Sequence, residues 1–151
     1  MSDRVVLSHN ELRITDAEHR ALREVRELFA SGAVQHDHDK DYDKPNGFNM
    51  DCHLVEGSCG TTACIGGWMW TILTRDHVST SLTANRYVRD ERSVTLQSLF
   101  YPPMEEIDDM SYDDITPGAA LLAIDSFLAT GNPNWPHACG FDQAVEVRGD
   151  A

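Results

Sequence analysis

The chain has 151 residues, with 25 Asp and Glu against 12 Lys and Arg, a formal net charge of -13 and a sequence pI near 4.7. A 41% hydrophobic and 25% charged composition suits a globular chain, and the length suits one domain spanning residues 1–151, with 1–14 and 132–151 its least defined ends. So acidic a surface repels phosphate and argues against binding nucleic acid by neutralising its backbone.

The longest apolar stretch, Ala63 to Leu73, is broken by two glycines and falls short of the roughly 20 residues a bilayer span requires. The opening residues lack the apolar core of a signal peptide. These features predict a cytoplasmic protein without a membrane helix. In that compartment Cys52, Cys59, Cys64 and Cys139 are expected as thiols or metal ligands rather than disulfides.

In chain order, Thr15 with Glu18 reads as a capping box opening a helix in which Leu22, Val25, Leu28 and Phe29 share one face, stopped at Ser31-Gly32. Residues 33–47 show no apolar period and predict a loop. A second helix is predicted from Thr61 or Thr62 to about Thr74, with Ile65, Trp68, Met69 and Ile72 inward. Gly66 and Gly67 lie inside it and predict a close backbone approach. Residues 78–90, with Val78, Leu82, Tyr87 and Val88, read as short strands or an irregular excursion. Ser93 to Tyr101 reads as a short helix ended by Pro102-Pro103.

Thr116 then caps a helix with Pro117 in its first turn and Ala120, Leu121, Ile124, Phe127 and Leu128 as its inward stripe, ended by Gly131. Asn132 to Ala151 reads as loop, with a candidate strand over 144–147. Trp135 in that loop either plugs the end of the helices or anchors a partner. Together these elements predict a mainly α fold, a compact bundle of three to four helices with long loops and one or two short strands.

Charge is uneven along this frame. Residues 1–92 carry 15 acids and 11 bases, whereas 93–151 carry 10 acids and only Arg148. The densest run is Glu105, Glu106, Asp108, Asp109, Asp113 and Asp114, which reads as a solvated loop or as an electronegative face for a cationic partner. A second run, Asp37, Asp39, Asp41 and Asp43, is mixed with His36, His38, Lys40 and Lys44. It approaches a binuclear-metal motif but has Lys40 where an Asp is needed. It also approaches a calcium loop but has Tyr42 at the sixth position and Phe48 at the twelfth.

The segment Phe48-Asn49-Met50 followed by Cys59-Gly60-Thr61-Thr62-Ala63-Cys64-Ile65-Gly66-Gly67-Trp68 concentrates cysteine and glycine. With Leu99-Phe100-Tyr101-Pro102 and Thr116-Pro117 following in order, residues 48–130 resemble a group of small bacteriophage and bacterial proteins. That group shares F-x-M, C-G-T-x-A-C-x-x-G-W, a Leu-Phe-x-Pro step and a Thr-Pro. The resemblance implies a shared fold and a bacterial or phage-infected cell; it implies no activity. The acidic loop from Met104 to Asp114 departs from it.

Four readings of the cysteines follow from the residues. They are buried apolar groups at a helix start. They are zinc ligands drawn from Cys52, His53, Cys59, Cys64, His137 and Cys139, although without a C-x2-C pair. Cys64 is a nucleophile activated by a helix N-terminus, with His137 as base. Or Cys59 and Cys64 form a redox pair, at a spacing unlike thioredoxin's.

The reading these features favour is a protein that works by binding rather than catalysis. It would be an acidic, phage-type inhibitor mimicking nucleic acid, with Glu105, Glu106, Asp108, Asp109, Asp113 and Asp114 contacting a cationic protein such as a CRISPR effector or restriction factor. No cofactor is expected, zinc aside. The alternative is a zinc or cysteine-nucleophile enzyme centred on Cys59, Cys64 and His137.

Overall fold

The computed structural model describes residues 6–57, 60–76, 83–89 and 94–141. Cys59, Val78, Leu82, Ser93 and the candidate strand at 144–147 lie outside them. The described residues are mainly helical, with seven α-helices rather than three or four and a small sheet. The helices are α1 (His9–Leu12), α2 (Asp16–Ala30), α3 (Ile65–Arg75), α4 (Ala84–Arg89), α5 (Val94–Phe100), α6 (Pro117–Thr130) and α7 (Trp135–Ala138). The strands are β1 (Gln35–His36), β2 (Gly47–Phe48), β3 (Leu54–Glu56) and β4 (Thr61–Ala63).

The two best-marked helices form where their caps place them. Thr15 accepts from the Glu18 amide while the Glu18 carboxylate reaches back to the Thr15 amide, satisfying two donors that a helix start leaves without partners. Thr116 accepts from the Ala119 amide, and Gly131 ends α6 at φ 85°. In α2 the expected stripe turns inward, with Leu22, Val25 and Phe29 buried. The helix packs on α3 and α6. Ser8 and Glu11 form a second capping box that opens α1, within residues 1–14, one of the chain's less defined ends in sequence.

The sheet order is β1-β2-β4-β3, with β1–β2 and β2–β4 parallel and β3–β4 antiparallel. It corrects two expectations. Residues 33–47 are not all loop, because both ends of the segment pair: Gln35 with Gly47 and His36 with Phe48. The second helix starts later than Thr61 or Thr62, because Thr61 to Ala63 are claimed by pairing with Leu54 to Glu56. Cys64 becomes the N-cap instead, its Sγ accepting from the Gly67 amide at 3.4 Å.

Gly66 and Gly67 do admit neighbours. A Cβ on Gly67 would collide with the His53 carbonyl oxygen, and one on Gly66 would stand 2.8 Å from Val88 Cγ2. Residues 84–89 form helix, not strand, with Tyr87 and Val88 buried against α3. The Trp68 indole donates to the Gly47 carbonyl at 3.0 Å and fastens α3 to β2. Phe48 meets Phe29 edge to face at 5.2 Å. The cysteine- and glycine-rich segment is thus the junction of the sheet with α3. Trp135 lies in α7 rather than a loop and is 1% exposed, with its indole donating to the Ser98 carbonyl, so it plugs the helical end and anchors no partner. Among the described residues no helix is long and apolar enough to cross a membrane.

Candidate functional site

The acidic stretch is ordered by its few apolar residues. Met104–Glu106 and Tyr112–Asp114 form single 3-10 turns, and the residue after each, Ile107 and Ile115, has 0% exposure. Burying a side chain of that size contributes roughly 1.5–3 kcal/mol, so the chain is pegged to the core at both ends of the turn region. Around the first peg the backbone closes on itself: the Ile107 and Asp109 amides donate to the Met104 carbonyl, and the Met110 amide donates to the Ile107 carbonyl. Asp108 and Asp109 both adopt left-handed φ, 55° and 58°, a region Asp tolerates better than most residues. The Tyr112 hydroxyl donates to the Pro102 carbonyl at 2.6 Å and ties the second turn to the end of α5.

The six carboxylates predicted as one set divide into two. Glu105, Glu106, Asp108 and Asp109 are exposed and form no ion pair with a described residue, and Met104 beside them is 42% exposed. Asp113 and Asp114 are instead held by side chains from residues 36–40. The His36 ring donates through Nε2 to the Asp113 carbonyl at 2.9 Å, and the Lys40 ammonium stands 3.4 Å from Asp113 Oδ1. That oxygen is shut off from solvent and has no hydrogen bond, so the ammonium balances its charge without a well-aligned donor. His38 Nε2 lies 2.6 Å from Asp114 Oδ1, and its Nδ1 lies 2.9 Å from Asp39 Oδ1. The carboxylates of Asp39 and then Asp114 raise the His38 pKa. Those of Asp51 and Asp113 push the Lys40 ammonium up to about 12.

The segment 36–43 is built around one buried carboxylate. Asp37 is fully buried, its Oδ1 accepting from the Asp41 amide at 2.8 Å and its Oδ2 from the Tyr42 amide at 2.9 Å and the Thr62 hydroxyl at 2.6 Å. Burial raises its pKa, but the bonds from Thr62, Tyr42 and Asp41 outweigh burial and the net shift is downward. The Asp37, Asp41 and Asp43 carboxylates approach one another closely enough to suggest a cation site, the only such group among the described residues. The chain supplies a cation there itself: the Lys44 ammonium is 3.8 Å from Asp37 and 3.3 Å from Asp43. Asn49, also buried, donates to the Asp37 and His38 carbonyls and completes the turn.

Cys64 sits at the N-terminus of α3 as expected, yet its thiol is pushed up to about 11 rather than lowered. Complete burial outweighs the amides of Gly67 and Gly66. It makes no hydrogen bond to His137, which is exposed on α7. Burial likewise raises the Cys52 and Cys139 thiols, and Cys52 donates to the Thr62 carbonyl at 3.6 Å. The described members of the zinc set, Cys52, His53, Cys64, His137 and Cys139, do not converge as ligands, and the His53 ring is engaged by the Tyr101 hydroxyl and Asn85 instead.

Sequence reasoning missed the grip of His36, His38 and Lys40 on Asp113 and Asp114. Its one local signal was the clustering of these three basic side chains among the acids; a turn after β1, with Lys40 at φ 57°, brings them to the acidic stretch. Comparison of the chain with protein-family models, curated proteins and solved structures returned no match.

Proposed function

We propose that this chain is an acidic binding protein that docks Glu105, Glu106, Asp108 and Asp109 on the cationic surface of a protein that handles nucleic acid. In this reading it is a phage-type inhibitor of a defence factor such as a CRISPR effector, with carboxylates standing in for phosphates. The observation that carries it is the pegging of this stretch by Ile107 and Ile115, with four carboxylates outward and in no ion pair with a described residue. Preorganised charge loses little ordering entropy on binding, and its field steers a basic partner to the same place. Met104, exposed beside the charges, adds an apolar contact at their edge.

The test is the quadruple variant Glu105→Gln, Glu106→Gln, Asp108→Asn, Asp109→Asn in an affinity capture from bacterial lysate read by mass spectrometry. A basic nucleic-acid-binding protein is expected with the parent chain, with affinity reduced about tenfold or more and salt dependence flattened in the variant. Equal capture by both proteins rejects the reading. Because the four side chains are exposed, stability should change by no more than about 0.5 kcal/mol, which separates lost binding from lost folding.

A further inference from the structure

We infer that His38 is a proton-operated clasp on Asp114 that sets how much negative charge the acidic stretch presents. The inference rests on the acidic-face reading above for its consequence, but its mechanism is internal to the chain. Both ring nitrogens of His38 stand at hydrogen-bond distance from carboxylate oxygens, 2.9 Å from Asp39 and 2.6 Å from Asp114. A neutral imidazole carries one N–H, so it serves one of these acceptors; only the imidazolium donates to both. In the protonated form Asp114 is neutralised. When the proton leaves, one of the two bonds loses its donor and the ring loses its positive charge, so the charge of Asp114 is no longer balanced by His38 whichever nitrogen keeps the remaining hydrogen.

Among the described residues, the charged groups paired with the ring or its neighbours come from the two segments that meet there. On its own segment His38 has Asp39 as a ligand, the His36 ring at 5.6 Å in an edge contact, and Lys40, whose ammonium is occupied by Asp51 and Asp113. On the opposing turn it has Asp114, while Asp113 takes Lys40 through its carboxylate and His36 through its carbonyl. The ring is half exposed, at 53% of its side chain, so a proton reaches it from solvent without any opening of the fold.

Releasing Asp114 does not release the turn. Ile115 and Ile107 stay buried, Lys40 still faces Asp113, and the Tyr112 hydroxyl still holds the Pro102 carbonyl. The clasp therefore switches charge rather than order. A cationic partner and the His38 proton compete for one carboxylate, so by linkage each weakens the other. Partner affinity should rise as pH climbs through the His38 titration.

Two measurements on the full chain test this. The first follows the His38 ring by NMR across pH in the parent, Asp114→Asn and Asp39→Asn. The expected result is a parent titration above that of an unperturbed histidine, moved down by either substitution, with amide exchange of residues 112–115 unchanged across the same range. Identical His38 titrations in parent and Asp114→Asn overturn the clasp, and so does loss of amide protection as the ring deprotonates.

The second measures the affinity of a deca-arginine peptide at pH 6 and pH 8, with His38→Gln as control. The parent should gain about threefold to tenfold at the higher pH, the size expected for unmasking one interfacial charge, while the control stays flat. A parent that binds the peptide equally at both pH values overturns the clasp. If the peptide binds at neither pH while the NMR titration behaves as expected, the clasp stands and the acidic-face reading fails.

Discussion

Residues 36–43 and 105–109 are both rich in carboxylates, and in the sequence they look alike, yet the fold treats them in opposite ways. In the first region Asp37 is buried and organises the backbone, accepting from two amides and the Thr62 hydroxyl with Lys44 close by. In the second the carboxylates play no part in holding the backbone; buried isoleucines and main-chain bonds do that, and the charges face outward. The difference lies in what surrounds an acid rather than in how many acids there are. Where donors and a lysine converge, a carboxylate is structure. Where an apolar peg holds the chain and no described residue pairs with the acid, its charge is open to a partner.

The strongest way to break this comparison is Asp37→Ala, which strands the Asp41 and Tyr42 amides and the Thr62 hydroxyl in the interior. A loss of about 3–5 kcal/mol is expected in denaturant unfolding, against almost nothing for the quadruple neutralisation of 105–109. The same carboxylate gives the protein an acid limb. Its native pKa is depressed, so its stabilising contribution is complete above the unfolded value near 3.9 and disappears as pH falls through the native one. Acid unfolding of the parent that is matched by Asp37→Ala would remove that assignment.

Ile107→Ala comes next. It deletes a fully buried peg and should cost about 2–5 kcal/mol, while amide exchange in 104–110 rises more than in α2 or α6. A cost under about 0.5 kcal/mol would mean that main-chain bonds alone order the stretch. The smallest expected effect is chemical: iodoacetamide at neutral pH should leave Cys64 unmodified in the folded protein and label it only after denaturation, because burial pushes its thiol up to about 11 and closes it to solvent. Rapid labelling of the native chain would revive the nucleophile.

What the sequence discloses here is what is local. The α2 and α6 boundaries follow from hydroxyl caps, a proline and a glycine acting within four residues of one another, so they can be read directly. The sheet cannot, because strands of two and three residues have no periodicity and their parallel partners lie far along the chain. The displaced start of α3 has the same origin: Thr61 and Thr62 are sound caps in isolation, but the pairing of β3 with β4 claims them. The acidic run is legible as charge. Its division into four free and two held carboxylates is not, since the division depends on His38 and Lys40 arriving across more than seventy residues. Cys64 shows the converse error. Position at a helix N-terminus is a short-range cue for a reactive thiol, and the depth at which the helix is set reverses it.

The two isoleucine pegs also bear on how such a surface can vary. Because Ile107 and Ile115 hold the stretch and its outward side chains do not, Glu105, Glu106, Asp108 and Asp109 form an exchangeable cassette. Their charge can be rewritten for a different docking partner while the scaffold beneath folds as before, with 108 and 109 drawing on residues such as Asn and Gly that accept the left-handed φ there.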